Sequence, residues 1–348
     1  MGFAEASSIA VHDLKEADRA RWDEFVNAHP EGSFMHLSGW QRVIRDGFGH
    51  RTYFMWAESD GKLVGVLPLV RVKSLLFGDS LISTPFCVYG GAIAETDAAR
   101  LALEENAARL AEELGVDYLE LRDRVDHASD WPKKSLYVTF RKEISEDHEA
   151  NMKAIPRKQR AMVRKGLKAG LETEFGQELD RFYQIYSESV RNLGTPVFGK
   201  RFFRVLLDEF RDAIDILMIK HEGQDIAGVL SFYFRDEVLP YYGGGSVAAR
   251  GAKANDFMYW SLMSSAADRG CRVFDYGRSK EGVGSYSFKK NWGFEPAPLH
   301  YRYHLVKADA VPDLSPMNPK YQLFIKMWKK LPLPISQMIG PHLARNLG

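Results

Sequence analysis

The residues best suited to chemistry lie in VFDYGRSKEGVGSYSFKKNWGF, from Val273 to Phe294. Asp275 and Arg278 flank Tyr276 and Gly277 at the expected C-terminal end of a strand, where open α/β sheets commonly hold their ligands. Lys289 and Lys290 then stand between Phe288 and Trp292. Acyl transfer needs its tetrahedral oxyanion stabilised, which a fixed cation or a backbone N–H can do. It also needs a deprotonated amine, which a carboxylate can assist. Both residue types occur here in one short, aromatic-rich segment. The plainer alternative is a structural Asp275–Arg278 pair with two surface lysines.

A second constellation is YYGGGSVAARGAKAND, from Tyr241 to Asp256. Consecutive glycines, Gly243 and Gly244 among them, let backbone pass close to a ligand or form a bulge. Arg250 and Lys253 precede a helix that Asn255 or Asp256 would cap. A helix N-terminus with two cations beside it suits a phosphate or carboxylate. Solvated loop charges are the alternative.

A third is IPRKQRAMVRKGLKAGL, where Pro156 suits a first helical turn. Arg157, Arg160, Arg164 and Lys168 follow at spacings of three and four, giving one basic stripe. Val163, Leu167 and Leu171 form an adjacent apolar line that would dock on a domain. Near the end, Leu323, Phe324, Met327 and Trp328 make an apolar face beside Lys326, Lys329 and Lys330. That pattern fits either an interfacial helix or a helix packed on its own domain. No HExxH spacing, Ser nucleophile elbow or Walker loop is present.

The elements that position these residues come in two sets. YFMWAESDGKLVGVLPLV (Tyr53 to Val70) and DILMIKHEGQDIAGVLSFYF (Asp215 to Phe234) each read as strand, tight turn, strand, with turns at Asp60-Gly61 and Glu222-Gly223. A glycine-marked strand follows each, PFCVYGGAI and LPYYGGGSV. Each set then has a helix that runs into a strand, with Gly115 and Gly270 where a C-cap is expected. Four successive elements in one order, twice, imply a duplication. The spacing places a first domain at 1–145, a basic helical linker at 146–176, a second domain carrying the chemistry at 177–306, and a proline-containing appendage at 307–348.

At 348 residues the chain accommodates two domains. A net charge of +1 excludes a global pull toward nucleic acid or anionic lipid, so an electrostatic partner needs a local patch. Cys87 and Cys271 form no CxxC pair and read as buried, reduced thiols, and no metal site is expected. There is no secretory pattern at the N-terminus and no apolar run of roughly 18 residues. The expected location is cytoplasmic.

FDYGRSKEGVGSYSFKKNWGF, with the preceding helix FMYWSLMSSAADRG and YYGGG, resembles the second GNAT-like domain of the FemAB family. It is especially similar to the FemAB-like branch that accompanies exosortase/PEP-CTERM and exopolysaccharide systems. The resemblance runs from about Trp22 to Leu305. It implies an α/β (α+β) fold of two tandem GNAT-like domains, each a mixed, mostly antiparallel sheet flanked by helices. It further implies acyl or aminoacyl transfer from acyl-CoA or aminoacyl-tRNA, as co-substrate, to an amine of a cell-envelope or exopolysaccharide-related acceptor.

In this family a lysine after phenylalanine is thought to assist transfer; here the pair is Phe288-Lys289. Lys289 is therefore expected to hold the oxyanion, Asp275 to position or deprotonate the amine, and Arg278 to orient it. Arg250, Lys253, Asn255, Gly243 and Gly244 would receive the donor. Arg157, Arg160, Arg164, Tyr242 and Trp292 would hold a small-molecule or lipid-linked glycan acceptor. The chain departs from the family at two places. RGAKAN keeps Arg250 but has Lys253 and Asn255 where the GNAT coenzyme A loop has Gly and Gly/Ala. The long helical arm associated with tRNA is replaced by the short Arg157 helix. Expected partners are thus the acceptor, tRNA if it is the donor, and a membrane surface touched by the C-terminal segment. The rival reading is a non-catalytic module that binds a glycan-lipid at a membrane.

Overall fold

The structure is a computed structural model and describes residues 9–74, 77–312 and 319–347. Along the chain, the first stretch forms β1 (Ala10–Asp13), α1 (Arg19–Ala28), α2 (Trp40–Phe48), β2 (Arg51–Ser59), β3 (Lys62–Ser74), β4 (Gly78–Ser83), β5 (Ile93–Ala94), α3 (Asp97–Leu114), β6 (Tyr118–Asp123) and β7 (Lys133–Lys134). Then come β8 (Tyr137–Glu143), α4 (His148–Ala154), α5 (Arg157–Leu167), β9 (Leu171–Gly176), α6 (Leu179–Leu193), α7 (Lys200–Glu209), β10 (Ile214–His221), β11 (Gln224–Phe234) and β12 (Glu237–Gly245). The rest is α8 (Val247–Ala252), α9 (Ala254–Asp268), β13 (Val273–Lys280), α10 (Gly284–Asn291), β14 (Pro296–Pro298), β15 (His300–Leu305), α11 (Pro319–Trp328) and α12 (Leu333–Ala344).

The two repeats are visible in backbone detail. Both hairpins, β2–β3 and β10–β11, turn through two residues at positive φ: Asp60 at 51° and Gly61 at 76°, Glu222 at 51° and Gly223 at 76°. Two such residues give the twist that matches paired strands. The register of each hairpin slips at one place, after Ala57 and after Ile219, so that Val64 and Ile226 are the additional residues. Such bulges are built features of a strand pair. Helix α3 starts where Thr96 accepts a hydrogen bond from the Ala99 N–H and stops at left-handed Gly115. Gly270, at φ 84°, ends the matching helix α9.

The chain divides into two compact units, and their boundaries differ from those expected. One comprises Met1–Ser135 and Leu299–Pro312 with the last three residues; the other comprises Leu136–Pro298 and Asp313–Arg345. The sheet of the first runs β1-β2-β3-β4-β6-β15-β7, and that of the second β14-β8-β13-β12-β11-β10-β9. In each, one neighbouring pair is parallel, β4–β6 and β12–β13, and the others are antiparallel. The strand that follows each repeat lies in the other's sheet: β8 beside β13, β15 beside β6. Residues 137–143, expected in the first domain, thus belong to the second unit, and 300–305 to the first. Residues 146–176 are no linker. They form α4, α5 and β9, with Ile155 and Val163 in the second core.

Alternation of side chains tells which face of a strand is buried, not which edge it joins. What fixes β15 is Arg302, fully buried, whose Nε donates to Asp123 at 2.7 Å. Its two terminal nitrogens donate to Glu104 at 2.9 and 2.7 Å. What fixes β8 is Phe140 in the second core and Thr139 and Arg141 beside Asp275.

Candidate active site

Parallel strands β12 and β13 pair only at Glu237↔Val273 and Val238↔Phe274. Past that point they separate, β12 running on to Gly245 and β13 to Lys280. No strand joins that side of β12 beyond Val238 among the described residues, so alternate backbone groups face a gap. Helices α6, α9 and α10 close it to a cavity of about 300 Å³. Its wall includes Gly243, Gly244, Gly245, Arg250, Asn255, Tyr259, Tyr276, Ser189, Ser285 and Lys289. A second lobe of about 300 Å³ opens past Leu193, Ser246 and Arg250 toward Val247 and Lys329. Among the described residues, no Asp or Glu lines either lobe.

The glycine run shapes one wall by having no side chains. A Cβ on Gly243 would lie 3.0 Å from the Tyr259 hydroxyl, and one on Gly244 2.5 Å from Ser189 Cβ. A Cβ on Gly245 would lie 2.9 Å from both Ala249 Cβ and Asn255 Oδ1. The backbone is thus approached closely on successive sides, as a run of three glycines permits.

The opposite wall is a distortion in β13. Its register slips between Asp275 and Arg278, with Gly277 at φ 63°. The Asp275 carboxylate, buried, accepts a hydrogen bond from the Gly277 N–H at 2.7 Å and from the Thr139 hydroxyl at 3.5 Å, and Arg141 Nε lies 3.8 Å away. Three carbonyls in a row are left to the other side, and Lys289 takes them. From α10 its Nζ donates to the oxygens of Tyr276, Gly277 and Arg278 at 2.7, 3.0 and 3.0 Å. Burial pulls the pKa of this ammonium down to about 7, opposed by the charge of Asp275. The three carbonyls also favour the charged form, which has three protons to give.

The remaining residues singled out from the sequence divide cleanly. Arg250, Asn255, Gly243 and Gly244 line the cavity together with Lys289. Asp275 does not, because adjacent residues of a strand face opposite ways and it faces β8. Arg278 lies over the Tyr137 ring, 4.5 Å from its centre. Tyr242 is buried among Tyr186, Phe202 and Phe203. Trp292 is fully buried, its Nε1 donating to Asp256 at 3.3 Å. Neither Asn255 nor Asp256 caps α9; the capping position is Lys253, at φ 56°, and Asp256 instead receives Gln159 and Trp292. Arg157, Arg160 and Arg164 border an open groove with Lys165 and Lys168, apart from the cavity. The Arg160 guanidinium is turned back onto the carbonyls of Lys153 and Ile155, at 3.0 Å each. Leu167, expected to dock, is exposed.

Tyr276 has a buried hydroxyl with no hydrogen-bond partner among the described residues, and it lines the cavity. Burial, and then the neighbouring Tyr259 and Asp256, raise its pKa well above the ordinary value, so it stays protonated and able to donate. Period-two alternation could have found it: if Asp275 faces one side, Tyr276 faces the other. Ser189 and Tyr259 come from distant helices, with no local signal to mark them.

The corresponding gap of the first unit, past the parallel pair β4–β6, is occupied by its own chain. Phe86, Cys87, Val88 and Tyr89 are buried there, and Arg122 Nη1 donates to the Cys87 carbonyl at 2.7 Å.

Residues 153–290, which include every residue named in the wall of the first lobe, match the acetyltransferase (GNAT) domain family. No curated protein sequence matches the chain. Among solved structures, FemX is similar with a TM-score of 0.67 at 15% identity, over 91% of this chain and 100% of FemX. L-PGS from Bacillus licheniformis gives 0.54 at 15% identity, over 94% of this chain and 98% of that one. A tandem GNAT protein from the clavulanic acid biosynthesis pathway, solved without AcCoA, gives 0.53 at 12% identity, over 88% and 100%. These likenesses show the fold, and it is the tandem GNAT-like, FemX-type fold expected from the sequence.

Proposed function

We propose that this chain is an acyltransferase that moves an acyl or aminoacyl group from an activated ester or thioester to an amine, using the cleft of the second unit. The observation that carries the reading is the buried hydroxyl of Tyr276, unpartnered among the described residues, on a residue in the wall of a cavity whose described lining has two cations and no carboxylate. An unsatisfied buried donor is costly unless a ligand completes it. The match of residues 153–290 to the GNAT domain family supports the same chemistry.

In this reading the donor lies along the unpaired edge of β12, its polar backbone groups meeting those of the strand as an added strand would. Arg250 and Asn255 receive its anionic portion. The acceptor amine attacks the donor carbonyl, a C–N bond forms, and negative charge gathers on the carbonyl oxygen. Tyr276 donates a hydrogen bond to that oxygen. Lys289 fixes the three carbonyls of β13 and adds its buried positive charge to the wall. The C–S or C–O bond then breaks, and the proton released by the amine ends on the departing thiol or alcohol.

Removing the donor hydroxyl should cost about 10²-fold in kcat, the usual effect of one oxyanion donor. The measurement is label transfer by Tyr276→Phe and the unaltered protein, offered acyl-CoA or charged tRNA with an amine acceptor. Full transfer by a folded Tyr276→Phe protein would remove the assignment. No transfer from either donor by the unaltered protein would favour the binding-module reading. The identity of the productive donor decides between acyl-CoA and aminoacyl-tRNA.

A further inference from the structure

Large apolar side chains left in water are concentrated at one place in the second unit. Leu323 and Met327 of α11 and Met338 of α12 are 66%, 63% and 66% exposed, with Ile335 and Ile339 beside Met338 also exposed. Both helices are nevertheless firmly docked on their other faces. In α12, Ser336, Gly340 and Ala344 are buried at spacings of four, and a Cβ on Gly340 would lie 3.0 Å from the Val197 nitrogen. In α11, Trp328 is buried, and Ile325 lies where a Cβ on Gly194 would come within 2.5 Å. The outward residues are therefore not the margin of a frayed tail. They form a second apolar face on helices whose first is already used.

Charge says what covers it. From Leu314 to Gly348 the sequence has no Asp or Glu, against Lys320, Lys326, Lys329, Lys330 and Arg345. Lys326 and Lys330 are exposed beside Leu323 and Met327. Apolar residues and cations without acids, on short helices lying along a surface, are the composition of an interfacial helix. Protein interfaces are depleted of lysine, whereas lysines around an apolar face are what an anionic membrane surface attracts.

We infer that α11 and α12 form a docking surface for an anionic phospholipid bilayer. Leu193 and Val247, 64% and 71% exposed, border the second lobe of the cleft, whose wall also contains Lys329 of the turn after α11. The apolar surface thus reaches the mouth of the cleft. Resting on the transferase reading, this makes a lipid-linked molecule the acceptor class that the mouth would meet.

The test is co-sedimentation of the full chain with vesicles, without any acyl donor. Vesicles of phosphatidylcholine containing about a quarter phosphatidylglycerol should bind the protein, since each lysine near an anionic surface adds roughly fivefold in affinity. Pure phosphatidylcholine, or about 0.5 M salt, should weaken binding roughly tenfold or more. Leu323→Ser with Met327→Ser should weaken it roughly tenfold or more, with an unchanged circular-dichroism spectrum. Leu101→Ser, an exposed leucine of the first unit, should change nothing. The inference is overturned if neither vesicle binds, or if the double variant binds as the unaltered chain does. It is equally overturned if light scattering shows a dimer that the double variant abolishes, the face then being covered by a second copy. Because no acyl donor is present, none of these outcomes bears on transfer itself.

Discussion

The ammonium of Lys289 has three protons, and three backbone carbonyls receive them. A group so engaged acts first by holding β13 in its distorted course, and only through its charge on a reacting carbonyl. Sequence reading placed the residue in the cleft but gave it a free hand there. The same reading took Asp275 and Arg278 as the working pair, because acids and bases draw attention and a tyrosine between them does not. The pKa near 7 has a measurable consequence. Between about 7 and the ordinary lysine value of about 10.4, the unfolded chain holds a proton that the folded chain has released. The contribution to stability is thus complete above the upper value and is lost as pH falls toward 7. Urea unfolding of the unaltered chain and of Lys289→Met, compared across that range, should give a difference between the two that shifts in favour of the unaltered chain as pH rises. A difference that does not vary with pH would mean that the carbonyls keep the ammonium at its ordinary pKa.

Single elements were legible where local rules govern them. The two hairpins and the cap glycines Gly115 and Gly270 follow from spacing and turn chemistry and stand in the structure. PFCVYGGAI, expected as a strand, is instead irregular from Pro85 to Ala92, and the strand after the first hairpin is β4. The glycine run was legible as a close approach, but not what approaches, because Ser189 arrives from α6 and Tyr259 from α9. Gly244→Ala puts a methyl 2.5 Å from Ser189 Cβ, a distance real side chains do not tolerate. Helix α6 or strand β12 must then shift, at a cost of about 1–3 kcal/mol, and donor binding should weaken with it. The cause can be isolated, since Ser189→Gly removes the atoms in conflict. The double variant should recover most of the lost stability in thermal unfolding, giving a coupling of about 0.5–3 kcal/mol, as expected for side chains in contact. Additive losses would show that the strain lies elsewhere.

At the scale of the whole molecule, the duplication was readable and its boundaries were not. A strand announces its buried face by alternation, but its edge partner is chosen by contacts far along the chain, as Arg302 chooses Asp123 and Glu104 across more than a hundred residues. The consequence is a chain that crosses between its units at Ser135–Leu136 and again at Pro298–Leu299. Cutting at the repeat boundary, before Glu146, removes β8 from between β13 and β14. That takes Phe140 out of the second core and leaves buried Asp275 without Thr139 and Arg141. Losing a core phenylalanine alone costs about 3–5 kcal/mol, a large part of the stability of a domain. A chain from Leu136 to Gly348 should therefore unfold cooperatively in urea, whereas one from Glu146 to Gly348, shorter by one strand and its flanking loop, should not. Equal cooperativity in the two would mean that β8 is dispensable to the sheet that holds the cleft.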